Sequence, residues 1–192
     1  MIAIIDYNAG NIQSVRFALN RLGIEPVLTN DEEQLQKADK VIFPGVGEAG
    51  TAMSFLKSKN LHQVIPELSQ PVLGICLGLQ LMCRHSEESN TDCLNIFPLN
   101  VKKFSGGMKI PHIGWNTIYN LKSPLFKGCS ENNYVYYVHS YFAETEKNTI
   151  AETDYINKFS AALQKNNFYA VQFHPEKSSS VGEQILKNFL AL

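Results

Sequence analysis

Three residues have the types and surroundings for acyl chemistry: Cys76, His174 and Glu176. Cys76 stands in Gly74-Ile75-Cys76-Leu77-Gly78, with a glycine two residues to either side. The run Val72–Ile75 before it reads as a strand buried on both faces, and the pattern after it turns helical, with Leu77, Leu81 and Arg84 near one face. A cysteine at such a junction is the sulfur version of a nucleophile elbow. The turn lifts the sulfur above the sheet edge and points a helix N-terminus at it, where about half a positive charge favours thiolate over thiol. The Leu77 N–H is expected to be free there to donate to an oxyanion. A lone cysteine after an apolar strand is otherwise a small buried hydrophobe. The paired glycines tip the reading toward a nucleophile.

His174 and Glu176 close the stretch Tyr169-Ala170-Val171-Gln172-Phe173-His174-Pro175-Glu176, read as a strand ending in His-Pro-Glu. Alternate residues of an extended chain face one way, so imidazole and carboxylate share a side. The carboxylate then orients the ring and supports its protonated form. By itself His174 reads as a surface or capping histidine. Beside an elbow cysteine it completes a Cys–His–Glu set for nucleophilic catalysis.

The elements that must carry these residues follow from periodicity. Residues 2–6, Ile24–Leu28, Val41–Phe43 and the Cys76 run are expected strands. Ile12, Val15, Leu19 and Leu22, then Asp31–Lys37 and about Ala49–Ser58, are expected helices, with a turn over Tyr7–Asn11. This alternation predicts an α/β fold: an open, mostly parallel sheet with helices on both faces and a ligand site at the strands' C-terminal edge. Pro44-Gly45-Val46-Gly47 falls at that edge, one strand before Cys76. It is either a plain strand-to-helix turn or the second half of an oxyanion hole. It lacks the Gly-Lys-Ser/Thr of a phosphate loop. From about Asp92 to Phe142 short extended runs predict antiparallel strands added to the core sheet, with Tyr134–Val138 mostly buried. Ser180-x-x-Glu183 reads as a capping box before a last helix that turns Val181, Ile185, Leu186 and Phe189 inward.

Composition narrows the class. The 192 residues suit one domain spanning 1–192. Formal net charge is −1, which offers no electrostatic case for nucleic acid or an anionic membrane. No apolar run approaches the roughly 20 residues that span a bilayer, and the N-terminus has no basic signal region. Cys76, Cys83, Cys93 and Cys129 include no C-x-x-C pair, so neither a disulfide framework nor a zinc site is implied. A cytoplasmic protein without cofactor or metal is expected. Cys83, seven residues after Cys76, reads as a core thiol two turns along the helix.

Gly74-Ile75-Cys76-Leu77-Gly78-Leu79-Gln80 together with His174-Pro175-Glu176 resembles the class I (triad-type) glutamine amidotransferase family. Four further stretches, Asp6–Asn11, Pro44–Gly47, Pro111-His112-Ile113-Gly114-Trp115-Asn116 and Tyr137–Tyr141, resemble the branch that serves histidine biosynthesis. The resemblance spans the chain and departs chiefly at Asn8-Ala9, where the family often has glycine first. It implies a Cys76 nucleophile, His174 as acid and base held by Glu176, and an oxyanion hole of Leu77 with Val46 or Gly47 amides. It also implies that Gln80, Ser140 and Tyr141 surround the amino-acid end of L-glutamine. The implied partner is a barrel-shaped, HisF-type cyclase subunit in a heterodimer, with Asn11, Trp115 and Lys177 at the interface or ammonia passage. A glutaminase subunit of another synthase, such as one for a surface sugar, is the alternative. A non-enzymatic binding module on this fold would lack a triad member, and none is missing.

Overall fold

The structure, a computed structural model, describes residues 1–7 and 12–192. Most of the expected N-terminal turn, and the interface position Asn11, lie outside the described residues.

Strands and helices alternate along the first half. β1 (Ile2–Ile5) leads to α1 (Ile12–Arg21), which buries Val15, Ala18 and Leu19 at helical spacing. β2 is Val27–Thr29 and not Ile24–Leu28, because Pro26 has no N–H for a ladder and pairing starts after it. In α2 (Glu32–Lys37) the Asp31 carboxylate caps the N-terminus, accepting from Gln34 N–H at 2.9 Å. β3 (Lys40–Phe43), α3 (Ala49–Ser58), α4 (Leu61–Val64), β4 (Val72–Ile75) and α5 (Leu77–Met82) follow. α5 is one residue shorter than the spacing of Cys83 requires. Cys83 is its C-cap and opens β5 (Cys83–Ser86), so the thiol is buried as expected but is not on the helix, and Arg84 is exposed on the strand.

The middle of the chain departs most from expectation. β5, β6 (Thr91–Asp92), β7 (Phe97–Lys103) and β10 (Tyr141–Ala143) form a separate four-stranded sheet. Among the described residues β8 (His112–Ile118) and β9 (Asn133–His139) pair with each other alone, as a two-stranded ribbon. None of them joins the core sheet. β9 is half buried, with Val135, Tyr137 and His139 inward and Tyr134 and Val138 outward. A ribbon with one face turned to solvent covers a core from one side and is not buried on both sides as a central strand is.

The strands that do extend the core sheet are β11 (Thr149–Asp154) and β12 (Lys158–Lys165), followed by β13 (Phe168–Val171). The order is β11-β12-β13-β4-β3-β1-β2, with β13, β4, β3, β1 and β2 parallel and β12 antiparallel to its neighbours. Successive residues enter opposite cores: Ile5, Phe43 and Val72 with Leu56 and Leu81 on one face, Ile4, Ile42 and Leu73 with Leu19 and Phe189 on the other.

α6 (Ser179–Leu190) closes the second face, with Ile185, Leu186 and Phe189 buried at about 1.5–3 kcal/mol each and Val181 partly buried. The capping box does not form. The helix begins at Ser179, no side chain caps it, and Glu183 pairs with Lys187 at 2.6 Å. Ser178 is instead spent on β9: its hydroxyl donates to the His174 carbonyl and accepts from Tyr136 N–H.

Candidate active site

Register places the site. Val171 lies beside Ile75, and Phe43 beside Gly74, so the chain beyond each strand emerges at one edge. Cys76 leaves β4 at φ 53°, ψ −106°, a conformation that non-glycine residues avoid and that packing must hold. The flanking glycines are required by contact. A Cβ on Gly78 would lie 2.0 Å from the Phe43 carbonyl oxygen, and one on Gly74 would lie 2.9 Å from Met82 Sδ and 3.0 Å from the Gly78 carbonyl carbon.

His174 arrives differently from expectation. β13 ends at Val171, and Pro175–Lys177 is a 3₁₀ turn, so the pair is made by that turn and not by strand alternation. Backbone bonds hold it, with His174 N–H donating to the Tyr136 carbonyl at 2.9 Å. His174 Nδ1 and Glu176 Oε1 are 2.8 Å apart, with side chains 2% and 0% exposed. The carboxylate fixes Nδ1 as the donor and turns Nε2 toward Cys76. Burial opposes charge on the ring, but the Cys76 sulfur and then Glu176 outweigh it, raising the His174 pKa to about 10. The constellation holds a protonated imidazole beside a sulfur, the arrangement of an activated thiol.

A cavity of about 280 Å³ opens over Cys76, lined by Val46, Gly47, Leu77, Gln80, Glu88, Pro111 and Val138–Tyr141. The expected residues Gln80, Ser140 and Tyr141 are thus all brought to it. Gln80 Nε2 donates to the Tyr141 carbonyl at 2.9 Å. One expectation fails: the Leu77 N–H is not free but donates to the Gly45 carbonyl at 3.3 Å. The Gly45–Val46 peptide presents an oxygen where an oxyanion would need donors. The loop is held in this state from below, where the buried Tyr7 hydroxyl donates to the Pro44 carbonyl.

Two site residues escaped the sequence reading. Glu88, in an unpatterned polar stretch, lines the cavity while its Oε2 accepts from Ala49 N–H at 2.8 Å. Burial raises its pKa, the Ala49 bond partly countering. Gln172, fully buried, donates to Cys76 Sγ at 3.6 Å; a glutamine in an otherwise apolar run was the available signal. His139 and His112 are not bases here. Burial lowers their pKa values to about 3 and about 4, keeping both neutral. Trp115 and Lys177 share a second cavity of about 520 Å³ on the Glu176 side, with Ala18 and Arg21. Cys93 is pushed up to about 12 and Cys83 and Cys129 are also raised, all by burial first.

Cys76, His174 and Glu176 thus stand together at one edge of a doubly covered α/β sheet, an arrangement suited to thiol chemistry. The family Glutamine amidotransferase class-I matches residues 3–192, and the chain belongs to it, in the branch of the HisH subunits of imidazole glycerol phosphate synthase. It is 61% identical over 194 residues to that subunit from Bacteroides fragilis (strain YCH46), covering 100% of this chain and 99% of the relative. Identity to the Colwellia psychrerythraea subunit is 46%, covering 98% and 92%. Among solved structures, a crystal structure of a glutamine amidotransferase superposes with a TM-score of 0.77 at 16% identity, covering 100% and 98%. The PurLQS structure from Thermotoga maritima does so with a TM-score of 0.77 at 16% identity, covering 99% and 97%. These two bear on the fold alone.

Proposed function

We propose that the chain is a single glutaminase domain acting in the cytoplasm as the ammonia-producing subunit of a heterodimeric synthase of histidine biosynthesis. The observation that carries the chemistry is the buried Cys76–His174–Glu176 arrangement beneath a cavity sized for an amino acid. The Cys76 thiolate attacks the side-chain amide carbon of L-glutamine, and His174 protonates the departing ammonia. Water, deprotonated by His174, then releases glutamate from the thioester. Gln80 and the Ser140–Tyr141 backbone frame the amino-acid end, and Glu88 meets its ammonium.

The oxyanion needs the Leu77 N–H and one amide from Val46 or Gly47. Both become available when the Gly45–Val46 peptide turns over, and one lost donor of this kind costs about 2.7–4 kcal/mol. Hydrolysis is therefore slow until a partner moves the loop. The outward face of the β8–β9 ribbon suits that partner. Ile113 opposes Val138, and Trp115 opposes Tyr136, with Ile113 56% and Trp115 52% exposed. A HisF-type cyclase docked there, against Trp115 and Lys177, takes ammonia directly and makes imidazole glycerol phosphate and an aminoimidazole carboxamide ribotide. Whole-length similarity to HisH subunits favours this partner over a surface-sugar synthase.

The test is to co-purify the chain with the host's cyclase subunit and assay glutamine-dependent product. Stable association with product formation supports the proposal. A chain that ignores the cyclase yet feeds another synthase refutes the assigned partner.

A further inference from the structure

Gln172 lies one residue past β13 and two before His174, with its side chain in the protein interior. Burying an amide is unfavourable unless its N–H and C=O groups find partners. Both find them in the site: Nε2 donates to Cys76 Sγ at 3.6 Å, and Oε1 accepts from Gln80 Nε2 at 3.1 Å. The orientation is forced. The Tyr141 carbonyl only accepts, so Gln80 presents its nitrogen to it at 2.9 Å. That same nitrogen faces Gln172, which must answer with its oxygen, and the Gln172 nitrogen is left turned to the sulfur.

The Tyr141 carbonyl is held from the other side as well. His139 Nδ1–H donates to it at 2.8 Å, and His139 Nε2 accepts from His112 Nδ1–H at 3.0 Å. His112 Nε2 accepts in turn from Asn116 Nδ2 at 3.4 Å. Both arms donate into one carbonyl, so no proton can travel the length of the chain. It sets positions.

We infer that Gln172 is a positioning residue for the nucleophile: its amide N–H favours the thiolate of Cys76 and ties the sulfur to Gln80 and the Tyr141 wall. The inference rests on Cys76 being the nucleophile. A donor to sulfur strengthens when the sulfur becomes an anion. It opposes the thiol's own donation to the Val138 carbonyl at 3.7 Å, which needs the proton to stay on sulfur. The other ionisable groups facing Cys76 are His174, with Glu176 behind it, and Tyr7 beneath, while Glu88 and His139 stand across the cavity. His174 supplies the positive charge, and Gln172 the neutral donor beside it.

Two variants test this. Q172M matches volume and removes both hydrogen bonds. Q172E keeps the shape and the acceptor for Gln80 but sets a carboxylate against the sulfur. The rate of Cys76 alkylation by a haloacetamide is followed by mass spectrometry from acid to alkaline pH, with thermal unfolding measured in parallel. Q172M is expected to react about tenfold more slowly at pH 7, the loss of one hydrogen bond to a charged group. Its rate–pH profile should move to higher pH, and that of Q172E further still. In the complex with the cyclase, kcat for glutamine should fall more than KM rises. An unchanged profile in a folded Q172M overturns the inference and leaves Gln172 as core filling. If Q172M does not fold, Q172E decides by the same displacement. Failure of the wild-type chain to react selectively at Cys76 would instead remove the nucleophile itself, so the two failures are distinguishable.

Discussion

At the scale of single residues, selectivity among the four thiols comes from surroundings. Cys83, Cys93 and Cys129 are all raised by burial, whereas Cys76 faces an imidazole whose own pKa is raised to about 10. A glutamine-like diazoketone should therefore label Cys76 alone, as read by peptide mass spectrometry. Cys76→Ala should abolish glutaminase activity while leaving partner binding intact, and labelling at Cys83 or Cys129 would contradict the assignment. The imidazole itself has a pH signature. His174 carries a raised folded-state value against an ordinary 6.5. Its contribution to stability is fully present below about pH 6.5 and is lost as pH rises through about 10. Denaturant unfolding at pH 6.5 and pH 10 should show a smaller alkaline loss in Cys76→Ala than in the parent, because the sulfur is the largest group raising the ring. Equal losses would show that sulfur and imidazole do not interact.

At the scale of elements, the proposed oxyanion hole depends on the Pro44–Gly47 loop, whose Gly45 carbonyl now accepts from the Leu77 N–H. Two of its positions behave oppositely. A Cβ on Gly45 would lie 2.4 Å from the Tyr7 hydroxyl and 2.7 Å from Leu77 Cβ, so a side chain there disrupts packing. Among the described residues nothing lies within 4 Å of a Cβ on Gly47, but Gly47 sits at φ 131°, which L-residues rarely adopt. Gly47→Ala should thus leave the fold intact, with a melting temperature within a few degrees of the parent, while biasing the loop's conformations. The expected outcome is a fall of at least about tenfold in cyclase-stimulated hydrolysis, one oxyanion donor being worth more than that. Basal hydrolysis, already lacking the hole, should change little. Equal loss in both assays would place Gly47 outside the rearrangement.

At the scale of the whole molecule, the ribbon joins two surfaces. Its inner face buries His112, His139 and Tyr137, of which His139 lines the Cys76 cavity, and its outer face carries Ile113, Trp115 and Val138 to solvent. Val138 also lines the Cys76 cavity, so the proposed docking of a partner on this face would set it beside that cavity. Trp115→Ala should lower coupling more than hydrolysis, with glutamate still appearing but less of its ammonia reaching cyclised product. Measuring both products in the reconstituted complex, with and without added ammonium, tests this. A preserved one-to-one ratio would reduce Trp115 to packing against Tyr136, whose ring lies 5.8 Å away.

What the sequence determined by itself is whatever neighbours along the chain enforce: the β4–Cys76–α5 elbow, the short helix ending at Lys37, the strand–helix alternation, and the closeness of His174 to Glu176. Those rest on turn sterics and periodicity, which act over a few residues. Tertiary structure alone decided the rest. Gln172 meets Cys76 across 96 positions and Gln80 meets Tyr141 across 61, so the pattern around each residue does not name its partner. Ser178 was drawn to β9, and Ser180 caps nothing, because a hydroxyl serves whichever buried groups the packing brings to it. The Leu77 N–H looked free because a helix N-terminus has unpaired donors. The Gly45 carbonyl that occupies it arrives from the loop after the neighbouring strand, a meeting set by sheet order and not by either segment's own pattern.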